Sequence, residues 1–314
     1  MNVQILSNFL TIAEQVGIVF TITFLGYIGG KTKLFGDETS NGMAKIAVNY
    51  VTPALVVMAF QREFEIQLVY GFLISLAGSM SALIFGMILS HLVIRSGTSE
   101  RDSVLRTISI FGNVGMISLA LQQALFGSDG VFYCAAGIAV FNLTFWSYCA
   151  ITMGAKGELK TTIRRALLNP CLISAFVGLT FFFCSIKIPK LPAVAMNHLA
   201  NLNMPFSMLI VGQRLSKIPI RELFNEKAIW GTAFLRMVLT PAIMIAALVL
   251  LGLRGPVAIC MVISVAAPGA ASVNTLAITY KQDVDLAAKS VSMHTVLSMV
   301  VMPLMIAVAY AFLL

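Results

Sequence analysis

The sequence contains little charge for its length. Only 11% of its 314 residues are charged and 59% are hydrophobic, whereas about a quarter of the residues in an ordinary soluble domain are charged. Apolar segments recur from one end of the chain to the other, and a helix of about 20 such residues crosses the hydrocarbon core of a bilayer. The composition therefore excludes an ordinary soluble domain and predicts an all-α polytopic membrane protein.

Residues that catalysis needs are also scarce. No aspartate lies within an apolar segment, the histidines are far apart, and no Cys-x-x-Cys spacing occurs. Membrane hydrolases need a nucleophile with a base, paired aspartates, or metal ligands such as His-Glu-x-x-His. We therefore predict a protein that is not an enzyme and has no metal or cofactor other than a coupling ion. The net charge of +8 is spread over short loops, which indicates membrane topology rather than binding of nucleic acid.

Ten apolar segments are long enough to span the lipid bilayer. They cover residues 8–30, 42–61, 67–94, 104–125, 130–153, 166–186, 193–214, 228–253, 256–279 and 286–313. The first lacks the basic flank of a signal peptide, so we expect it to remain as a span. Loops after odd-numbered spans carry 16 lysines and arginines, and loops after even-numbered spans carry 4. This bias predicts that both termini lie on the extracytoplasmic side of the cell membrane.

Two of these spans carry the same interruption. The pattern Asn-x-x-x-Pro occurs at Asn49 and Pro53 in the second span and at Asn201 and Pro205 in the seventh. Each proline frees the carbonyl of its asparagine, and we expect the asparagine amides to help satisfy the unwound turn. The ten spans can be divided into two sets of five. Because five is odd, the second set enters the membrane in the opposite orientation to the first. Paired breaks at equivalent positions are typical of inverted-repeat transporters, which predicts repeats at 1–153 and 154–314. Two unrelated kinks are the alternative.

The fourth and ninth spans are interrupted by small and polar residues instead. The fourth contains "FGNVGMISLALQQ" and the ninth contains "AAPGAASVNT". If both helices break and cross, their half-helix N-termini favour an anionic group; close helix packing is the alternative for the small residues. The residues that we predict to contact a substrate are Asn113, Gly115, Ser118, Gln122, Asn203, Pro268, Gly269 and Asn274.

Ionisable groups inside the spans are few. Arg236 in the eighth span should face the bundle or a water-filled cavity, because a central arginine costs ~2.5–3.5 kcal/mol on insertion scales. It either pairs with a substrate carboxylate or, as we favour, snorkels or binds a helix end. His294 in the tenth span is a candidate proton site, with a neutral, hydrogen-bonded histidine as the alternative. Asn142 in the fifth span lies 152 residues before His294, which is the same separation as between the two proline motifs. The candidate coupling ions are H⁺ and Na⁺.

The order of these motifs resembles the auxin efflux carrier family of membrane transporters, in its bacterial branch. "PFSMLIVGQRL" from Pro205 to Leu215 is similar to a Pro-x-x-x-x-x-x-Gly-x-x-Leu helix of that family. "NVGMISLAL" from Asn113 is similar to its Asn-x-Gly-x-x-x-x-Pro-Leu crossover, and the segment around Pro268 to its second crossover. One departure is Ala120, which stands where the family pattern has proline; we expect a shallower break there.

The resemblance implies ten spans in two inverted five-helix repeats, with the fourth and ninth helices broken and crossing. It implies a scaffold (8–61 and 166–214) that often forms a homodimer, and a transport domain (67–153 and 228–314) that moves as an elevator. It places Asn113 at the substrate carboxylate. We therefore predict a secondary active or electrogenic carrier of a small organic anion in the lipid bilayer. A membrane receptor that binds its ligand without moving it is the alternative.

Overall fold

The computed structural model describes residues 3–95, 98–153, 164, 167–217 and 226–314, and the regular elements in these ranges are helices. Those of the first half are α1 (Val3–Lys31), α2 (Asp37–Ile46), α3 (Thr52–Ala59), α4 (Ile66–Val93), α5 (Ser99–Ile110) and α6 (Leu119–Thr152). Those of the second half are α7 (Pro170–Phe183), α8 (Lys190–Ala200), α9 (Asn203–Leu215), α10 (Lys227–Phe234), α11 (Thr240–Leu250), α12 (Pro256–Ala266), α13 (Ser272–Thr279) and α14 (Val284–Leu313).

Five stretches of these helices are long and apolar enough to cross a membrane. They are Asp37–Ala59, Ile66–Val93, Val114–Cys149, Lys227–Leu250 and Val284–Leu313, and α7 and α12 are shorter apolar helices. Large apolar side chains on their outer faces are exposed, as Leu73, Ile84 and Ile88 are on α4. Exposed apolar faces of this extent need a lipid environment. The prediction of an all-α, multi-pass membrane protein is confirmed.

The first proline motif forms a widened helical turn rather than a sharp kink. A π-turn covers Ala47–Val51, so that the N–H of Thr52 bonds the carbonyl of Ala47 and the ring of Pro53 has room. The amide of Asn49 donates to the carbonyl of Lys45 at 2.8 Å. The expectation that this amide satisfies the widened turn was therefore wrong, because its bond goes one turn earlier.

The second proline motif interrupts the helix for two residues, Asn201 and Leu202, whose backbone angles stay in the right-handed helical region. α8 ends at Ala200 and α9 begins at Asn203, with Asn201 exposed in the turn between them. Pro205 lies in the first turn of α9, where helical N–H groups have no intrahelical acceptor, so its missing N–H costs little. The two motifs thus occupy similar sequence positions with different local structures.

Both the fourth and the ninth predicted spans are interrupted. α5 ends at Ile110, and the chain becomes helical again in a π-turn, Val114–Ser118, that leads into α6. In the ninth, α12 and α13 are separated by residues 267–271. The turn expected between the fourth and fifth spans lies within α6 at Gly127, where φ is 57°. Glycine adopts this conformation without the steric cost that a Cβ brings. The Sγ of Cys134, beyond this turn, is 4.0 Å from the carbonyl oxygen of Val114, before it, so the chain reverses direction at Gly127.

Helices distant in sequence pack together. α1 packs along α9, and α3 packs on α7 and α8. α6 contacts α4 and α12, and α12 also contacts α14. The interruptions between α5 and α6 and between α12 and α13 lie where these helices meet.

Candidate functional site at the crossing of two broken helices

The two interrupted segments pair with each other through their backbones. Gly112 and Gly269 form an antiparallel bridge. Its flanking hydrogen bonds run from the N–H of Asn113 to the carbonyl of Pro268 (2.7 Å) and from the N–H of Ala270 to the carbonyl of Phe111 (2.9 Å). A Cβ at Gly112 would overlap the guanidinium of Arg236, and one at Gly269 would overlap the side chain of Ile108. Only glycine allows this close approach.

Arg236 lies on one face of the crossing and binds two helix ends. Its side chain is buried, with 3% exposure. It donates from Nη1 to the carbonyl of Ile110 (2.8 Å), from Nε to that of Ala267 (3.1 Å) and from Nη2 to that of Ser264 (3.3 Å). These carbonyls belong to the C-terminal ends of α5 and α12, which have no helical partner for them. Of the alternatives left open by the sequence, the structure shows helix-end binding.

The opposite face of the crossing presents helix N-termini. Asn113 precedes the π-turn that leads into α6, and Ala271 precedes α13. Both residues line two cavities, of about 340 Å³ and 180 Å³. The first turns of these helices therefore place N–H groups and partial positive charge beside open space.

The larger cavity combines amides with one cationic side chain. Arg214 and Leu215 of α9 form part of its wall, opposite Asn113 and Asn274. Among its described lining residues, Arg214 carries the only formal charge. The Oδ1 atom of Asn274 is buried and has no hydrogen-bond partner among the described residues. Buried amide oxygens without a partner are uncommon. This oxygen can accept from a donor group of a ligand, whereas a carboxylate would have to be bound by the NH₂ of the same amide.

The smaller cavity lies on the other side of Asn113. Its polar lining includes Asn142, Asn169 and Ser207, and Gly115 also contributes to its wall. The amide of Asn142 donates to the carbonyl of Ile138 at 2.9 Å, within α6. Asn142 therefore lies at a candidate ligand site; its predicted role in coupling stays a prediction.

Five of the eight predicted substrate contacts are not among the described residues that line the two cavities. Pro268 and Gly269 belong to the backbone pairing of the crossing, and the other three are Ser118, Gln122 and Asn203. Gln122 is fully buried and donates from Nε2 to the hydroxyls of Ser118 (2.8 Å) and Ser264 (2.9 Å), which links α6 to α12. Asn203 is also fully buried; it accepts from Thr52 at 3.0 Å and donates to Gln123 at 3.4 Å. Contact of these five residues with a substrate stays a prediction.

His294 lies near the crossing but away from the cavities. It is fully buried, and its Nε2 is 3.1 Å from the hydroxyl of Thr232. Its Nδ1 is directed toward Gly269 and would lie 3.0 Å from a Cβ there. The hydrogen-bonded histidine that we considered is therefore present, and its role in proton coupling stays a prediction.

Sequence reasoning missed Arg214 as a site residue. It stands at the end of the seventh predicted span, where it counted as one of the cytoplasmic basic residues. A pattern within α9 pointed to it: Val211, Arg214 and Leu215 have the i, i+3, i+4 spacing of one helix face. Val211 and Leu215 are buried, so Arg214 is carried on the face that meets the crossing.

Long apolar helices, interrupted where they line a cavity inside the bundle, define a polytopic membrane transport protein. A family model described as "Membrane transport protein" matches residues 11–161 and again residues 157–306. The chain therefore belongs to the membrane transport protein family, the auxin efflux carrier family that its motifs resemble. This family is one of transporters, so the prediction that the protein is not an enzyme is confirmed.

Relatives from other organisms carry corresponding names. The chain is 22% identical to an uncharacterized transporter of Methanocaldococcus jannaschii, with 93% of this chain and 96% of the relative covered. It is 23% identical to an uncharacterized transporter of Methanothermobacter thermautotrophicus (94% and 98% covered). It is also 23% identical to a putative malonate transporter of Rhizobium meliloti (78% and 80% covered).

Proposed function

We propose that this protein is a secondary carrier of a small organic anion that binds in the larger cavity. The observation that carries the proposal is the lining of that cavity: Arg214, Asn113 and Asn274 surround a space of about 340 Å³ with no acidic side chain among its described residues. A guanidinium binds a carboxylate through two parallel hydrogen bonds. Helix N-termini in a partly buried geometry add up to ~2 kcal/mol of attraction for an anion.

A dicarboxylate fits this arrangement best. Arg214 belongs to α9, whereas Asn113 and Asn274 flank the crossing, so one carboxylate can bind on each side of the cavity. The name of the Rhizobium meliloti relative, a putative malonate transporter, is consistent with such a substrate.

The membrane potential determines which direction needs coupling. An inside-negative potential favours anion export by ~2.3 kcal/mol per charge per 100 mV. An electrogenic carrier can therefore export the anion without a coupling ion, and uphill uptake requires one.

The packing supports ten spans in two inverted repeats within the cell membrane, with both termini extracytoplasmic. α1 of the first predicted span packs on α9 of the seventh, and α3 of the second packs on α7 of the sixth. These contacts are reciprocal between the halves. The two hydrogen bonds that flank the Gly112–Gly269 bridge are reciprocal in the same way.

An elevator movement accounts for the position of the cavities. Each has one wall from the proposed scaffold (8–61 and 166–214) and another from the proposed transport domain (67–153 and 228–314). With the predicted orientation, both lie in the cytoplasmic half. At the other end, Arg62 pairs with Asp129 at 2.7 Å, and the rings of Phe60 and Phe132 are 4.8 Å apart. This arrangement corresponds to an inward-facing state, and the scaffold would also carry the homodimer contact.

Substrate flux in proteoliposomes tests the proposal. We expect Asn113→Ala to abolish malonate flux. Its thermal stability should be kept, because the backbone N–H of residue 113 still donates to the carbonyl of Pro268. Asn197→Ala, at an exposed position of α8, is the control and should transport normally. Unchanged flux in Asn113→Ala would exclude this site. Saturable binding of malonate by the wild-type protein without any flux would favour the receptor alternative.

A further inference from the structure

The guanidinium of Arg236 fills a carbonyl cage at the crossing and lines neither of the two candidate cavities. Three backbone oxygens surround it, at 2.8, 3.1 and 3.3 Å, and they come from two helices and the break after α12. The side chain is 3% exposed. In a membrane, carbonyls freed by helix breaks must find partners inside the protein, and here one side chain satisfies three of them.

The charge of the cage matches that of its occupant. A helix C-terminus carries roughly −0.5 of an elementary charge, so the ends of α5 and α12 together offer about −1 to one guanidinium. The ion pairs between described residues do not include Arg236. The helix ends therefore act as its counter-charge in place of a carboxylate.

Local structure holds the arginine in this position. The π-turn Leu235–Leu239 contains Arg236, and Thr240 closes it by donating to the carbonyl of Leu235 at 2.6 Å. A π-turn changes the direction of the side chains it contains relative to the rest of the helix. On the other side, Gly112 leaves the room that the guanidinium occupies. Both features serve the same contact.

Carriers built from crossing broken helices commonly bind a coupling cation at unwound carbonyls and half-helix C-terminal ends. We infer that Arg236 is a tethered cation in that position, so that the crossing is electrostatically complete without a bound Na⁺. A covalently attached cation cannot be exchanged in each transport cycle. Coupling of transport to Na⁺ at this position is thereby excluded. This consequence rests on the proposed transport function. The structural role of Arg236 is independent of that function.

Chemical rescue of the purified protein tests the inference. We expect Arg236→Ala to lower the midpoint of thermal unfolding in detergent by roughly 5–10 °C, because the carbonyl cage loses its cation. Millimolar guanidinium, far below denaturing concentrations, should restore at least half of that loss. Arg236→Met is the matched control: it removes the same charge, but its side chain fills the space, so guanidinium should restore nothing. Equal responses of the two variants would overturn the proposal.

Two further measurements test the inference even if Arg236→Ala does not fold. Replacing Na⁺ by choline at constant ionic strength should change the midpoint of the wild-type protein no more than that of Arg236→Met; a specific effect of Na⁺ on the wild-type protein that Arg236→Met lacks would overturn the inference. Arg236→Lys should be purified with a midpoint between those of the wild-type protein and Arg236→Met, because an ammonium also donates three hydrogen bonds. Rescue by guanidinium in a protein that shows no flux would support the tethered cation and contradict the proposed function.

Discussion

The two faces of the helix crossing differ in what satisfies their backbone groups. On one face, the C-terminal carbonyls of α5 and α12 are bonded by the buried guanidinium of Arg236. On the other, the N-terminal residues Asn113 and Ala271 border cavities. The same pair of breaks thus creates a permanently occupied cation site and an open site with the opposite preference.

This difference indicates how the helix crossing can keep a fixed structure and still exchange a ligand. We call the face that holds Arg236 the closed face and the face that borders the cavities the open face. Carbonyls freed on the closed face would each cost free energy in a membrane if they had no partner, and the guanidinium of Arg236 bonds them. N–H groups at the open face can be satisfied by water or by an anion in turn. Loss of the closed face should therefore affect stability, and loss of the open face should affect transport.

The largest effect on stability is expected at Gly112, where the closed face leaves no space for a side chain. Gly112→Ala would place a methyl group against the guanidinium of Arg236, whose three hydrogen bonds prevent it from moving aside. We expect a loss of about 1–3 kcal/mol of stability, typical of overpacking, measured as a lower midpoint of thermal unfolding. Gly115→Ala is the control, because a Cβ there would meet no atom within 4 Å beyond its chain neighbours and the local helix backbone. Equal midpoints in both variants would contradict the rigid closed face.

An intermediate effect is expected at the open face. Arg214→Gln removes the one charge among the described residues of the larger cavity. A hydrogen bond to a charged group is worth about 1.5–3 kcal/mol, so the transport efficiency for malonate should fall roughly ten-fold or more with unfolding unchanged. Lys217→Gln is the matched control: it removes a nearby charge that is paired with Asp37. If both variants lose the same efficiency, Arg214 acts only through long-range attraction.

The smallest effect is expected at Ala120, which follows the π-turn at the open face. Prolines occupy the corresponding positions after the other two π-turns, Pro53 and Pro241. The preceding residue, Leu119, has φ −59° and ψ −46°, close to the −63° and −46° of the residue before Pro241. We expect Ala120→Pro to change stability by less than about 1 kcal/mol.

Leu121→Pro is the control for this substitution. It falls one residue further into α6, where proline should cost ~3 kcal/mol or more. The unfolding midpoints of the two variants give the comparison. A large loss in Ala120→Pro would show that the π-turn here depends on the N–H of Ala120. The π-turn forms with alanine at this position, and the shallower break expected from the missing proline stays a prediction.

Much of the fold could be predicted from local patterns. Long apolar segments gave the helices, and the small residues around Asn113 and Pro268 located both breaks. The local structure at each motif was harder to predict. Asn49 and Asn201 share one motif, yet Asn49 lies inside a π-turn and Asn201 lies in a two-residue turn between two helices. Packing of the neighbouring helices, which a motif does not contain, selects between these local structures.

The candidate site was predicted less completely. Asn113, Gly115 and Asn274 line cavities as a substrate site requires. Gln122 is equally polar, but it donates to the hydroxyls of Ser118 and Ser264 and lines neither cavity. Residues three or four positions apart in a helix share a face, but which face meets a cavity depends on the partner helix. Arg214 was overlooked for the same reason.

The sequence by itself determined a multi-pass transporter with two interrupted spans, because apolar length and helix-breaking residues act locally. Only the tertiary structure decided that Arg236 binds the carbonyls of two helix ends while Arg214 borders the cavity. Arg236 lies inside one predicted span and Arg214 at the end of another, and their depth alone does not say which backbone groups each will meet. Their roles differ because the free energy of a buried charge depends on which backbone dipoles surround it after folding.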